Sequence, residues 1–368
     1  MNNKIFSVDD ARVAAKSRLP KIIFDLIDGA AGSEYASAEN IKQLDQIRLQ
    51  PRVLVNTENR NLKTNLLGKE WHLPFGIAPM GMCDLSWPGA DEMLAAAAVK
   101  YNMPLGLSTM ASSNIEDTFQ RAGTNAWFQL YVGQSEDDAF ELVKRAETAG
   151  YDTLILTADV PIVAPRPREQ RNGLQVPLKI GPRQLIDFAM HPQWSMATLL
   201  AGIPQMANQA GKGKISRGQN RGRVDWTFLQ RLRQRWPGKL IVKGVLSPDD
   251  AVGIRDAGAD AVYVSNHGGR QLDSAPAAIH MLPKIRAALG DDYPVLFDSG
   301  VRNGEAIVKA LALGADFVLL GRPFLYALGA DGKSGLHSVI DLLSQQIEAT
   351  LAQLGIPDIN DIDNRVIL

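Results

Sequence analysis

From residue 74 onward, short apolar runs alternate with amphipathic stretches. The runs Phe75–Pro79, Leu105–Met110, Trp127–Val132, Thr153–Ala158, Leu240–Val245, Ala261–Val264, Val295–Phe297 and Phe317–Leu320 have the length and β-branched or aromatic content of buried strands. Helix starts lie between them, such as Ser135-Glu136-Asp137-Asp138 and Ser247-Pro248-Asp249-Asp250, where a hydroxyl can cap the first free N–H groups. Eight strand-then-helix units in order predict an α/β fold, a (β/α)8 barrel over residues 74–330. The structural alternative, a doubly wound open sheet, lacks its usual G-x-G-x-x-G first turn here.

Three regions fall outside the repeat, in what reads as a single domain over 1–368. Residues 1–73 predict two helices, Val8–Leu19 and Lys21–Ala31, then an irregular or short-stranded segment to Trp71, together capping the barrel's bottom. Residues 331–368 predict a C-terminal helical region. The connection after the fourth strand, residues 160–224, is far longer than an ordinary strand-to-helix loop and reads as a lid. It carries Arg166, Arg168, Arg171, Lys179, Arg183, Lys212, Lys214, Arg217, Arg221 and Arg223 against only Glu169 and Asp187. Its middle, Leu185–Met206, is rich in large apolar residues, and Gly211–Gly222 is glycine-rich and basic.

Composition narrows the class without naming a chemistry. Hydrophobic residues make 45% and charged residues 21%, with a formal net charge of -1, so nothing points to nucleic acid. One cysteine, Cys83, excludes an internal disulfide and reads as a packed core residue. No signal-peptide pattern opens the chain and no run of about 18 apolar residues occurs, so the expected location is cytoplasmic.

In a (β/α)8 barrel the reactive groups gather at the C-terminal strand ends. Those positions read Pro79-Met80-Gly81, Ser108-Thr109, Gln129 with Tyr131, Thr157 with Asp159, Lys243, His267 with Arg270, Asp298-Ser299-Gly300-Val301-Arg302, and Gly321-Arg322. The stretch Ser265–Asp273 is the most informative. An imidazole suited to moving protons stands three residues from a guanidinium suited to gripping a carboxylate, around two glycines that permit a tight turn. Lys243 at a buried strand end needs an electron-rich partner. Glycines and arginines on the last two strands occur where such barrels bind phosphate.

This ordered set resembles the FMN-dependent α-hydroxy acid oxidases and dehydrogenases, a family that includes glycolate oxidase, lactate oxidase and mandelate dehydrogenase. Ser265–Asp273 resembles its active-site signature, and Phe128–Val132, Val242–Val245 and Asp298–Arg302 support it. The resemblance implies oxidation of an L-2-hydroxy acid to the 2-oxo acid. His267 would be the base, with Asp159 orienting it; Arg166 and Arg270 would hold the substrate carboxylate, and Tyr131 would hydrogen-bond nearby. Toward FMN it implies Pro79, Met80 and Gly81 near N5, and Ser108, Gln129 and Thr157 on the ring edge. Lys243 would stand by N1 and O2 and Asp298 by the ribityl chain. Gly300, Arg302, Gly321 and Arg322 would take the phosphate, and Ser299 and Val301 would also belong to the cofactor site.

Two departures carry expectations. The family usually has a tyrosine in the N-terminal helix facing the substrate carboxylate, and Leu26 stands at that position. A bulkier or more apolar substrate than glycolate is therefore expected, with Met80 and Met110 lining the same region. Gly81, where the resemblance associates alanine with oxidases, points to a dehydrogenase that passes electrons to a quinone or another carrier. The alternative acceptor is oxygen, giving hydrogen peroxide. The cationic flanks and apolar centre of residues 180–215 suit an anionic membrane surface, peripherally on its inner face. A homo-oligomer is also expected. The competing classes are a type 2 isopentenyl diphosphate isomerase-like flavin barrel and a non-catalytic flavoprotein. Diphosphate-binding groups would mark the first, and loss of His267 or Arg270 the second.

Overall fold

A computed structural model describes residues 5–133, 135–173, 181–209 and 223–368. A short antiparallel hairpin, β1 (Thr64–Leu66) and β2 (Lys69–Trp71), precedes eight parallel strands. These are β3 (Phe75–Met80), β4 (Leu105–Ser108), β5 (Ala126–Leu130), β6 (Thr153–Thr157), β7 (Lys239–Val245), β8 (Ala261–Val264), β9 (Val295–Phe297) and β10 (Phe317–Leu320). They pair in chain order, and β10 pairs back onto β3, so the barrel is closed.

Closure follows from side chains that fill the interior. Trp127, Ile155, Ile241, Tyr263, Leu296, Phe317 and Leu319 form one buried cluster inside the barrel, each at most 2% exposed. The alternate, outward residues such as Phe128, Leu154, Val242 and Val262 pack beneath the surrounding helices. The helix starts legible in the sequence form as read. Ser135 Oγ accepts the Asp138 N–H ahead of Glu136–Ala149, and Ser247 Oγ accepts the Asp250 N–H ahead of Pro248–Asp256. Cys83 is buried as expected.

The N-terminal region divides between the two ends of the barrel, which corrects the expectation that all of it caps the bottom. The hairpin does cover the bottom, with Leu66 and Trp71 packing into the interior cluster. Helix α1 (Val8–Arg18) is followed by α2 (Lys21–Asp28) and by an additional helix, α3 (Tyr35–Gln46). α2 and α3 lie over the opposite end, where the strands have their C-termini. Asn40 of α3 exchanges hydrogen bonds of 2.7 and 2.8 Å with Asn266, and Asp273 accepts the N–H and hydroxyl of Ser33. The sequence conceals α3 because it has no side-chain cap: it starts after Glu34 in the left-handed region, at φ 68°.

The insert after β6 is largely ordered where it is described. Helices Pro167–Arg171, Pro182–Met190 and Pro192–Ala201 each begin with proline in the first turn, whose missing N–H costs nothing there. Trp194 anchors the insert, donating from Nε1 to the Leu85 carbonyl at 2.9 Å, while Asn208 accepts the Ile115 N–H. The other face is bare: Leu185, Ile186, Met190, Met196, Leu199, Leu200 and Ile203 are all exposed. The glycine-rich basic run Gly211–Gly222, together with Lys179, lies outside the described residues. The final long helix, Arg322–Leu354, is broken at Asp331 and Gly332.

Candidate active site

The mouth of the barrel brings together side chains from seven strand ends and from the insert. Immediately after β8 the backbone turns sharply, with His267 itself in the left-handed region (φ 59°) followed by Gly268 and Gly269 at φ 62° and 75°. That conformation is unfavourable for a side chain and persists because it is pinned. Ser265 Oγ accepts the His267 N–H at 3.0 Å, and Asn266 Oδ1 accepts the Gly269 N–H at 3.1 Å. A side chain at Gly269 would strike the Ser37 nitrogen at 2.4 Å, so glycine lets α3 close on this turn.

The turn aims the imidazole at two partners. Its Nδ1 stands 3.1 and 3.2 Å from the two oxygens of Asp159, and its Nε2 stands 3.2 Å from the Tyr131 hydroxyl. Burial, and then the positive charges of Lys243 and Arg166, push the His267 pKa below its ordinary value, although Asp159 pulls the other way. Burial raises the Asp159 pKa, but its contact with His267 and the positive charge of Lys243 outweigh that and hold it below its ordinary value. The result is an imidazole that is neutral near pH 7 and so free to accept a proton, backed by a carboxylate that favours the imidazolium once one arrives.

Beside it lies a cationic pair. Glu169, 1% exposed, accepts from Arg166 Nη1 at 3.3 Å and from Arg270 Nη2 at 3.2 Å. Arg270 Nη1 also donates to the carbonyls of Leu26 and Gly29, at 3.0 and 2.6 Å. Leu26 thus meets the arginine through its backbone, while its side chain is half-buried. Burial first, then Arg166 and Arg322, push Arg270 down to about 9. Because guanidinium stays charged in proteins, this marks a local excess of positive charge that an arriving anion would relieve.

Below the histidine the barrel offers a polar floor. Ser108 Oγ donates to Gln129 Oε1, and Gln129 Nε2 donates to Thr157 Oγ1, both at 2.9 Å. Lys243, its side chain 5% exposed, donates to Ser265 Oγ at 2.8 Å and pairs with Asp298 at 3.4 Å. Burial lowers its pKa, but Asp298 and Asp159 more than compensate, so the ammonium is retained. At the far side Ser299 adopts φ 87° and Gly300 φ 94°, and Val301 is buried. Arg302 donates to the Val301 carbonyl and, among the described residues, to no carboxylate. Its pKa is pushed down to about 10, by burial and then by Arg322 and Arg12. Arg322 turns its guanidinium to the carbonyls of Ile27, Gly268 and Gly29.

Comparison with known proteins places this arrangement. Residues 15–368 match the family described as FMN-dependent dehydrogenase. The chain belongs to the FMN-dependent dehydrogenases. It is 40% identical to an (S)-mandelate dehydrogenase of Pseudomonas putida, covering 98% of this chain and 93% of that protein. It is 35% identical to an L-lactate dehydrogenase of Pseudomonas syringae pv. syringae, covering 99% and 98%. Its structure superposes on a crystal structure of the monotopic membrane protein (S)-mandelate dehydrogenase with a TM-score of 0.95, at 40% identity and full coverage of both chains. A mandelate oxidase variant with (S)-mandelic acid superposes with a TM-score of 0.84, at 30% identity, covering 99% of this chain and 98% of that one.

As a member of this family the chain is an FMN-dependent enzyme that oxidises a hydroxy acid. Its residues suit FMN. A row of hydroxyl and amide groups matches a flavin edge, a retained ammonium matches a ring that becomes anionic on reduction, and a half-buried arginine that, among the described residues, donates to no carboxylate matches a phosphate beside a glycine turn. Gly321 preserves open space there, since a side chain would meet only Met80, at 3.5 Å.

Most of the side chains gathered here are strand-end residues named from the sequence, and three others were not singled out there. Glu169 stood in the sequence as one of two acids in a basic insert, three residues after Arg166, and that spacing was its only signal. Gln271 holds the Asp159 loop by donating to the carbonyls of Asp159 and Ile162. Tyr263 is an inward hydroxyl on an otherwise aliphatic strand.

Proposed function

We propose that this enzyme oxidises an L-2-hydroxy acid bearing an apolar group larger than that of glycolate, and passes the electrons to a quinone or another carrier rather than to oxygen. The observation that carries the reading is the Tyr131–His267–Asp159 hydrogen-bonded line standing beside Arg166 and Arg270.

His267 Nε2 accepts the proton of the substrate hydroxyl or α-carbon, Asp159 holds the ring and steadies the imidazolium, and Tyr131 hydrogen-bonds the substrate's oxygens. Arg166 and Arg270 grip the carboxylate, which fixes the α-carbon relative to the base. Bound FMN supplies the two-electron acceptor. Pro79, Met80, Gly81, Ser108, Gln129 and Thr157 hold its ring, and Lys243 stabilises its reduced form. Asp298 and Ser299 face its ribityl chain. Gly300, Val301, Arg302, Gly321 and the main chain of Arg322 take the phosphate at the start of the last long helix.

The preference for a larger substrate is supported by the Leu26 side chain where the family usually has a tyrosine, by the apolar side chains of Met80 and Met110, and by the likeness to (S)-mandelate dehydrogenase. The carrier is supported by Gly81 and by the exposed apolar face of Pro182–Met190 and Pro192–Ala201, which would rest on a membrane surface where quinones reside. No helix among the described residues is long and apolar enough to cross a membrane. A surface contact of this kind agrees with the monotopic character of that mandelate dehydrogenase.

Anaerobic mixing with a panel of L- and D-2-hydroxy acids, followed by air or a soluble quinone, tests the reading. Bleaching by the L-acids, fastest with aryl or long alkyl groups, and rapid recolouring only with quinone are expected. Preference for glycolate, or fast recolouring in air, would overturn the substrate or acceptor assignment respectively.

A further inference from the structure

Arg166 and Arg270 reach the same place from distant parts of the chain, one from the insert and one from the turn after β8. Both guanidiniums are largely buried, and like charges converging in a buried site repel each other unless an acid stands between them. Glu169 is that acid. Its side chain is fully buried, and one oxygen, Oε1, accepts from Arg166 Nη1 at 3.3 Å and from Arg270 Nη2 at 3.2 Å. Arg166 opens the short helix Pro167–Arg171 and Glu169 lies in its first turn, so one element supplies both the first arginine and the acid. The neighbouring cations are tied elsewhere. Arg168 pairs with Asp28 at 2.6 Å and with Glu34, Lys243 pairs with Asp298 at 3.4 Å, and Arg322 donates to the carbonyls of Ile27, Gly268 and Gly29. Two guanidiniums and one carboxylate leave this cluster with a single net positive charge, which one substrate carboxylate would neutralise.

We propose that Glu169 is a specificity-determining residue: by bridging Arg166 and Arg270 it holds their shared charge at one, and so fits the substrate site to monoanionic acids against acids whose head carries a second negative charge. The inference rests on the reading that these two arginines grip the substrate carboxylate. Where water is largely excluded, an uncancelled charge acts strongly at short range, so the number of charges an anion brings decides how well it is held. With Glu169 in place, a phosphonate or a dicarboxylic head exceeds the positive charge available and leaves one of its own charges desolvated and unpaired. A single carboxylate closes the count to zero. Glu169→Gln keeps the size of the side chain and an oxygen that can accept from the arginines, and removes the charge. The pair then becomes doubly positive, and the preference turns toward dianions.

Benzenesulfonate and phenylphosphonate make the test, because both carry three oxygens on the same ring and, in mildly alkaline solution, differ by one negative charge. Their dissociation constants are measured by titrating the flavin absorbance of the FMN-loaded enzyme, without turnover, and competition with a 2-hydroxy acid checks the site. The wild-type enzyme binds the sulfonate at least as tightly as the phosphonate. In E169Q the ratio of the two constants shifts toward the phosphonate by about tenfold or more, the scale of one further charge at close range. Glu169→Asp keeps the charge but shortens the reach, so it weakens both probes and leaves their ratio at the wild-type value. An equal change for both probes in E169Q would make Glu169 a brace for the arginines and overturn the proposal. A tenfold wild-type preference for the phosphonate would overturn it too, and that result needs no variant to fold. Arg166→Met and Arg270→Met separate the two layers. If neither weakens either probe, or if neither probe competes with the 2-hydroxy acid in the wild type, the assignment of the arginines is what fails, and the proposal falls with it.

Discussion

Asp159 reaches His267 directly past Gly244. The two side chains come from the ends of β6 and β8, and Gly244 of the intervening β7 sits at φ +99°, where the β7–β8 register shifts between Lys243 and Val245. A side chain on Gly244 would meet the Asp159 Cβ at 2.4 Å. The irregularity in β7 thus leaves room for the carboxylate that backs the imidazole.

Asp159→Asn keeps the shape of this contact and removes its charge. Turnover should fall by about 10²-fold or more, the scale of a positioned acid–base group. Flavin content should stay unchanged by absorbance. Full activity in that variant would exclude His267 as a base that depends on Asp159.

Gly244→Ala should be disproportionately harmful for one methyl group. The left-handed backbone alone costs about 1–3 kcal/mol with a side chain, and the contact with Asp159 adds to it. A lower melting temperature together with lost activity is expected by thermal denaturation and steady-state assay. A variant with wild-type values would show that β7 can relax freely.

The lowered His267 pKa sets the acid limb. Below its ordinary value of 6.5 the imidazole remains neutral until the depressed pKa is reached, so kcat/KM should decline only at an apparent pKa under 6.5. The folded state binds this proton less readily than the unfolded chain does. Its contribution to stability is intact above about 6.5 and is lost as the pH falls from there through the lowered value. A pH–rate profile with its acid limb above 6.5 would contradict the electrostatics described for this site.

Leu199 and Leu200, 81% and 85% exposed, offer the simplest test of the membrane surface. Burying a leucine side chain contributes about 1.5–3 kcal/mol. Changing both to serine should weaken sedimentation with anionic vesicles by about tenfold or more, while leaving flavin reduction by substrate intact. Undiminished binding would remove this face as the contact.

Much of the architecture was legible because period and punctuation coincide. Fully buried parallel strands need unbroken apolar runs, and Ser135 and Ser247 mark the helices that follow them. The helix α3 left no such mark, because a left-handed Glu34 rather than a capping side chain begins it. The candidate site residues were legible for a related reason. A closed parallel barrel delivers every strand end to one face, so Gln129, Lys243, His267 and Asp298 could be grouped from order alone.

Local sequence by itself therefore determined the eight strands, their order and the chemistry available at their C-terminal ends. Only the tertiary structure decided which of those groups meet. Glu169 joins Arg166 to Arg270 although 101 residues separate it from the second arginine, and α2 and α3 cross to the catalytic end to brace the His267 turn. Such pairings depend on how distant segments exclude water around buried charge and leave each polar group a partner. No local pattern of hydrophobic and polar residues records that requirement.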